Sequence, residues 1–179
     1  MDNESRYLKT SVISVFGSSR AEESDGAYVL ARELGRELAK AGFAVASGGY
    51  GGAMEAVSRG AAEAGGRVIG VVAAAISTKA NPWVHETMVV PRWEDRLLQL
   101  VRLGDGYVAL PGGTGTLVEL AVAWEMIHKR VMPPRPLVTL GDFWRPVITH
   151  IEAADANCRG LVRLTGSVSA AVSELRASL

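Results

Sequence analysis

Short apolar runs alternate with helix-forming segments along this chain, and this alternation limits the possible folds more than any other feature. The runs are rich in valine, isoleucine and alanine without a polar residue at every second position, which is typical of strands covered on both faces. The pattern predicts an α/β fold with a doubly wound parallel sheet of about seven strands and helices on both faces. Predicted strands are 12–16, 44–47, 68–72, 87–90, 107–110, 136–140 and 161–164, and predicted helices are 26–41, 52–64, 92–103, 116–128, 143–154 and 167–178.

This Rossmann-like arrangement is predicted to occupy residues 1–179 as a single domain, with residues 1–10 as a flexible N-terminal tail. Lys plus Arg and Asp plus Glu number 19 each. A chain without net charge lacks the basic excess of proteins that bind nucleic acid or a membrane surface. The single cysteine excludes an intrachain disulfide, and the polar N-terminus does not resemble a secretory signal. We therefore expect a cytoplasmic protein with a small-molecule partner.

Three loops rich in glycine or serine leave the carboxyl ends of predicted strands. Their candidate binding residues are Gly17 and Ser18 after the first strand, Gly48, Gly49, Gly51 and Met54 after the second, and Gly112, Gly113, Thr114, Gly115 and Thr116 after the fifth. Carboxyl ends of parallel strands share one sheet edge, and a glycine-rich turn before a helix presents backbone N–H groups to an anion. Together the loops predict a pocket for a phosphate-bearing ligand, although each alone is consistent with a tight strand-to-helix turn.

The loops do not match the fingerprints of the commonest nucleotide sites. Gly49-Tyr50-Gly51 is followed by Met54 where a dinucleotide motif has its third glycine, and the chain contains no Gly-Lys-Ser/Thr of a Walker loop. These differences favour a mononucleotide or another phosphate ester as the ligand.

Two charged residues are candidates for chemistry at this pocket. Glu119 follows Thr116 at the spacing of a capping box, but its helix is apolar on nearly every side. Spacing alone therefore leaves open whether Glu119 caps the helix or acts on a ligand. Arg96 lies near the start of the predicted helix 92–103, which begins just after the fourth predicted strand. It is therefore placed to bind phosphate or ribose. An exposed Arg96 paired with Glu94 or Asp95 is the ordinary alternative.

The residues that most often bind transition metals are widely spaced: His85, His128, His150 and Cys158. No pair of them has the spacing of a metal motif, so we predict no metal site and no cofactor. The apolar helix 116–128, with Trp124, favours a contact between subunits, and we expect a homodimer or a larger homo-oligomer.

Residues 111–119, PGGTGTLVE, resemble the PGGxGTxxE signature of the Lonely Guy (LOG) family, and residues 48–54, GGYGGAM, are similar to its GGxxGxM loop. The resemblance covers nearly the whole chain. It implies a Rossmann-like oligomer that cleaves the N-glycosidic bond of a purine nucleoside 5′-monophosphate, such as AMP or a cytokinin ribotide, to give the base and ribose 5-phosphate. It implies that residues 112–116 hold the phosphate and that Glu119 and Arg96 carry the catalysis. It does not imply a lysine decarboxylase, the name often given to such proteins.

Two positions depart from the family pattern. The family arginine is usually followed by lysine, whereas Leu97 follows Arg96 here, and Val118 replaces the first of two common glutamates. At both positions the chain is more similar to those relatives that are named as nucleotide-binding proteins or molybdenum-cofactor carriers. A non-hydrolytic carrier of a nucleotide or a pterin phosphate is therefore the alternative to an enzyme, and a regulatory nucleotide sensor is a third reading.

Overall fold

The computed structural model describes residues 10–179, and residues 1–9, which make up nearly all of the predicted tail, lie outside the described residues. One seven-stranded sheet runs in the order β4-β3-β2-β1-β5-β6-β7, and all neighbouring strands are parallel. The strands are β1 (Val12–Phe16), β2 (Ala44–Ser47), β3 (Val68–Ala73), β4 (Glu86–Val90), β5 (Gly106–Ala109), β6 (Leu137–Leu140) and β7 (Val162–Thr165). The predicted Rossmann-like sheet is confirmed.

Six α-helices and one short turn accompany these strands within residues 10–179, and the last helix follows β7. They are α1 (Gly26–Lys40), α2 (Ala53–Glu63), α3 (Trp93–Leu103), α4 (Thr114–His128), α5 (Arg145–Ala154), a 3₁₀ turn (Ala156–Cys158) and α6 (Val168–Ser178). None of the helices in this range is long and apolar enough to cross a membrane.

Successive side chains of the central strands enter two separate hydrophobic cores, one on each face of the sheet. On one face Val15 packs in a cluster supplied by α1, α2 and α6, and on the other Phe16 packs in a cluster supplied by α3, α4 and α5. All residues of β1, β2, β3, β5 and β6 are buried, which explains why their sequences lack polar alternation. Trp124 lies inside the second core of the same chain, so the expectation that it forms a subunit contact is wrong.

The strand order reverses at β1, which is bonded to β2 on one side and to β5 on the other. Ligands of open α/β sheets bind at such a switch point, because the loops that leave its two strands diverge to opposite faces. Phe16 pairs with Ala109 at the carboxyl end of the β1–β5 ladder. The loops that follow these two residues therefore start at the same level of the sheet.

Residues 74–85 join β3 to β4 through turns and bends rather than a helix. The Asn81 amide N–H donates to the Gly49 carbonyl at 2.7 Å. The Tyr50 hydroxyl accepts from the Ala73 amide at 2.9 Å and donates to the Ser77 carbonyl at 3.0 Å. These bonds hold the connection against the GGYGGAM loop (residues 48–54).

Helices α1 and α2 contact each other backbone to backbone through two glycines. A Cβ atom at position 35 would overlap the carbonyl oxygen of Val57, and one at position 60 would overlap the carbonyl oxygen of Arg32. Both positions are buried. Glycine is required at these two positions because a neighbouring backbone, unlike a flexible side chain, cannot move aside.

This contact predicts that Gly35→Ala lowers the free energy of unfolding by about 2 kcal/mol, since overpacking outweighs the ~1 kcal/mol by which alanine favours a helix. Urea denaturation measures the effect. Gly26→Ala is the control, because a Cβ at that α1 position meets no atom within 4 Å. Equal denaturation midpoints for Gly35→Ala and the wild type would contradict the close contact.

Candidate active site

A cavity of about 630 Å³ opens at the switch point between β1 and β5. Nine residues predicted for the site line it: Gly17, Ser18, Met54, Arg96, Gly113, Thr114, Gly115, Thr116 and Glu119. The three loops predicted from the sequence thus meet at one cavity. Its charged lining consists of two arginines and one glutamate, Arg20, Arg96 and Glu119, which suits an anionic ligand.

The other four predicted glycines, Gly48, Gly49, Gly51 and Gly112, do not line this cavity. A Cβ atom at position 48 would overlap the guanidinium of Arg96, and one at position 112 would overlap the hydroxyl of Thr116. Gly48 and Gly112 therefore make room for side chains that do line the cavity, which is an indirect role that motif spacing does not distinguish from ligand contact.

Helix α4 begins at the cavity, and the residues of its first turn line it. Its N-cap is Gly113, which offers no side chain for capping, and the Leu117 amide makes the first intrahelical bond, to the Gly113 carbonyl at 3.0 Å. The N–H groups of residues 114–116 have no intrahelical acceptor. Since the helix begins at Thr114 and not Thr116, the alternative in which Glu119 closes a capping box with Thr116 is wrong.

Glu119 lies in the second turn of α4 with only 8% of its surface exposed. Its Oε1 is 3.6 Å from Nη1 of Arg96. Burial raises the pKa of Glu119 to about 7, while the positive charge of Arg96 acts in the opposite direction. The loss of hydration outweighs the ion pair, and the carboxyl group exchanges its proton near neutral pH, as catalytic carboxyls often do.

Arg96 is not the exposed, locally paired arginine that its neighbours suggested. Arg92 pairs with both acidic residues of the first α3 turn, at 3.2 Å from Glu94 and 2.9 Å from Asp95. Arg96 is 6% exposed. The alternative of a solvated Arg96 is therefore wrong, and the residue instead lines the cavity.

Contacts from three elements hold the Arg96 guanidinium in place. Its Nε donates to the Val71 carbonyl of β3 at 2.9 Å, and its Nη2 donates to the Met54 sulfur at 3.5 Å. The Tyr50 ring lies 5.2 Å from Cζ, within the range of a cation–π contact. The guanidinium is thus oriented before any ligand arrives, with Nη1 toward Glu119.

Four lining residues were not singled out from the sequence: Ser19, Arg20, Tyr50 and Ile76. Tyr50 lies among the glycines of the GGYGGAM loop (residues 48–54), and an aromatic residue inside such a loop could have indicated a lining residue. Ile76 is 57% exposed on the β3–β4 connection. No motif marks it, because its position depends on how residues 74–85 cross over the sheet edge.

A doubly wound parallel sheet with a candidate site at its topological switch point defines a Rossmann-like α/β protein. The family model described as the SLOG cluster4 family matches residues 10–143. The chain belongs to this family, and the resemblance to LOG proteins predicted from the loops is confirmed.

Known proteins of two kinds are similar to this chain. It is 34% identical over 129 residues to the cytokinin riboside 5′-monophosphate phosphoribohydrolase LOG of Oryza sativa subsp. japonica, an alignment that covers 68% of this chain and 52% of that protein. It is 32% identical over 133 residues to the enzyme of that name from Rhodococcoides fascians, covering 70% and 66%. The molybdenum cofactor carrier protein of Chlamydomonas reinhardtii superposes with a TM-score of 0.74 at 26% identity, over 94% of this chain and 98% of that one. This chain thus matches about half the length of the rice relative.

The raised pKa of Glu119 predicts a specific dependence of stability on pH. The folded state binds the Glu119 proton more tightly than the unfolded chain, whose carboxyl titrates near 4.5. Glu119 therefore stabilises the fold below the unfolded pKa, and this stabilisation is lost as pH rises to the folded value of about 7. Between about pH 5 and pH 8, the free energy of unfolding should fall by about 2–3 kcal/mol more in the wild type than in Glu119→Gln.

Urea denaturation at both pH values measures this difference, and comparison between pH values cancels any fixed effect of the substitution on packing. Glu33→Gln, at an exposed position on α1, is the matched control and should keep the wild-type dependence. If Glu119→Gln showed the same pH dependence as the wild type, the carboxyl would not be buried as described.

Proposed function

We propose that this chain hydrolyses the N-glycosidic bond of a purine nucleoside 5′-monophosphate, giving the free base and ribose 5-phosphate. One observation carries the proposal: the buried carboxyl of Glu119 lies one turn beyond the unpaired N–H groups of residues 114–116 and faces the same cavity. A phosphate bound at those groups would place an attached sugar beside the carboxyl. The relatives that are named as phosphoribohydrolases support this assignment.

Phosphate recognition would come from the backbone of α4. The N–H groups of Thr114, Gly115 and Thr116 combine with the positive end of the helix dipole. Thr116 and Ser18, whose side chains carry hydroxyl groups, line the same cavity. A single phosphate group fits this set, since no Walker lysine is present to bind a second or third phosphate.

Breaking the bond between C1′ and N9 leaves its electron pair on the base and an oxocarbenium-like sugar. Ionised Glu119 would stabilise that cation and take a proton from the attacking water, whose oxygen then bonds to C1′. The base takes up a proton from solvent at its ring nitrogen, and Glu119 returns the proton of the attacking water to solvent, so that in sum one water is added across the bond that breaks. Arg96 would keep the carboxylate oriented and bind the sugar or phosphate.

A non-hydrolytic carrier of a pterin phosphate such as molybdenum cofactor is the second candidate. The structural similarity to the Chlamydomonas carrier supports it. So do Leu97 and Val118, which stand at the two positions that depart from the phosphoribohydrolase pattern. The same helix N-terminus would bind the pterin phosphate, and Glu119 would then serve recognition rather than hydrolysis.

Incubation with AMP and chromatography of released adenine distinguish these functions. Glu119→Gln should lower turnover by roughly 10²–10⁴-fold, as expected for loss of a proton-transfer group. AMP affinity, measured by calorimetry, should remain nearly unchanged because the backbone donors of α4 are intact. Glu94→Gln, an exposed substitution in the first turn of α3, is the control and should keep full activity.

Adenine release at the same rate from Glu119→Gln and the wild type would contradict the role of Glu119. No base release from several nucleoside monophosphates by the wild type, together with tight binding of a pterin phosphate, would replace the hydrolase by the carrier.

We also propose that the chain forms a homodimer through the outer side of α4. Leu117 is 37% exposed there, and its neighbours Val118, Ala121 and Val122 are also at least partly exposed. These residues are one and four positions apart, so they form a continuous apolar stripe beside the cavity. A stripe of this kind is unfavourable in water unless a second surface covers it.

Leu117→Glu is expected to shift the protein to monomers, because burying a charge of the stripe against a second subunit would cost more than the apolar contact gains. Sedimentation velocity measures the change. Val29→Glu is the matched control, since Val29 is 58% exposed on α1 at the opposite face of the sheet. A wild type that sediments as a monomer, or a Leu117→Glu variant that remains dimeric, would contradict this interface.

A further inference from the structure

Three metal-ligating side chains meet at the sheet edge opposite the cavity. His128 is the last residue of α4, Asp155 directly follows α5, and Cys158 ends the 3₁₀ turn before β7. One ligand atom from each lies within 4.8 Å of the other two. Spacing along the chain gives no sign of this group, because the whole of α5 separates His128 from the other two residues.

We propose that His128, Asp155 and Cys158 form a binding site for a divalent transition metal, with Zn²⁺ as the best match. An imidazole nitrogen, a carboxylate oxygen and a thiolate sulfur are the ligand types that zinc prefers in proteins. Binding forms a bond from the metal to the Cys158 sulfur and releases the thiol proton to solvent. A fourth ligand from solvent would complete a tetrahedron.

Neighbouring groups already orient two of the three ligands. Glu125 Oε2 lies 3.2 Å from His128 Nδ1, so a proton on Nδ1 leaves the lone pair of Nε2 available toward Asp155. Asp155 Oδ1 accepts from the backbone and side-chain nitrogens of Asn157, at 2.9 and 3.0 Å. Its Oδ2 remains 3.6 Å from His128 Nε2. A histidine that binds a metal through one ring nitrogen commonly donates the N–H of the other to a carboxylate, and Glu125 occupies that place here.

The group is accessible to an ion from solvent. His128 and Asn157 line a second cavity, of about 810 Å³, and the Asp155 side chain is 43% exposed. Cys158 is buried behind them, so a bound metal would be held between an exposed and a buried ligand.

This site is independent of the proposed hydrolysis. His128 lies nine positions beyond Glu119 on α4, which is about 14 Å along the helix axis. A bound metal would tie the carboxyl end of α4 to the segment that leads into β7. The alternative is a plain ion pair, in which a protonated His128 interacts with Glu125 and Asp155 at the helix end without a metal.

Titration of the full-length, metal-free protein with Co²⁺ separates these alternatives. Co²⁺ replaces Zn²⁺ in tetrahedral sites, and a thiolate ligand gives a charge-transfer band in the near ultraviolet. Because Cys158 is the chain's single cysteine, this band can come from no other residue. We expect one Co²⁺ per chain, a thiolate band, and loss of the band when Zn²⁺ is added.

Variants identify the ligands. His128→Gln and Asp155→Asn should weaken Co²⁺ binding more than tenfold, Cys158→Ser should abolish the band, and Glu125→Gln should weaken binding roughly tenfold. His150→Gln, at an exposed position on α5, is the control and should bind as the wild type does. Circular dichroism verifies that each variant is folded.

A folded wild type without a thiolate band would overturn the proposal in favour of the ion pair. The proposal would also fail if His128→Gln and Asp155→Asn bound Co²⁺ as tightly as the wild type. A stoichiometry of half a metal per chain would indicate a site shared between two Cys158 thiolates, and would likewise overturn it. None of these measurements uses the release of adenine from AMP, so the test of the metal site does not depend on the proposed hydrolysis.

Discussion

Hydrogen bonding between β1 and β5 brings together two strand ends that are far apart in the chain, because Phe16 and Ala109 occupy the same level of the ladder. From this pairing the polypeptide continues to opposite faces, toward α1 on one side and α4 on the other. The crevice between the two loops is thus a consequence of strand order. The amino end of α4, the GGYGGAM loop and the Arg96 guanidinium all converge on this crevice.

Within that crevice the pKa of Glu119 depends on the balance between lost hydration and the nearby positive charge. Arg96 lies 3.6 Å from Glu119, yet burial dominates and holds the pKa of the carboxyl at about 7. Arg96 reaches this position only because residue 48 has no side chain. A glycine that does not itself line the cavity is therefore necessary to the site, because it makes room for one of the charged residues that do line it.

Local sequence patterns predict where the strands and helices lie, but not which side chains contact one another. β1 and β2 begin and end where predicted, because apolar runs between turn residues determine such strands. Helix α4 begins at Thr114, two residues before the predicted start. The first turn of this helix consists of residues that the sequence assigns to the glycine-rich loop. The choice of Arg92 over Arg96 as the partner of Asp95, and the meeting of His128 with Cys158, depend on packing between distant segments.

The connection between β3 and β4 has a consequence for how this architecture can vary. Residues 74–85 form no helix, contribute Ile76 to the cavity wall and are bonded to the loop that carries Tyr50. Insertions or deletions there would reshape the wall of the cavity that carries Ile76 while leaving the central ladder intact, because β4 is an edge strand. Ligand preference and fold stability are thus encoded in separable parts of the chain, and one can diverge without the other.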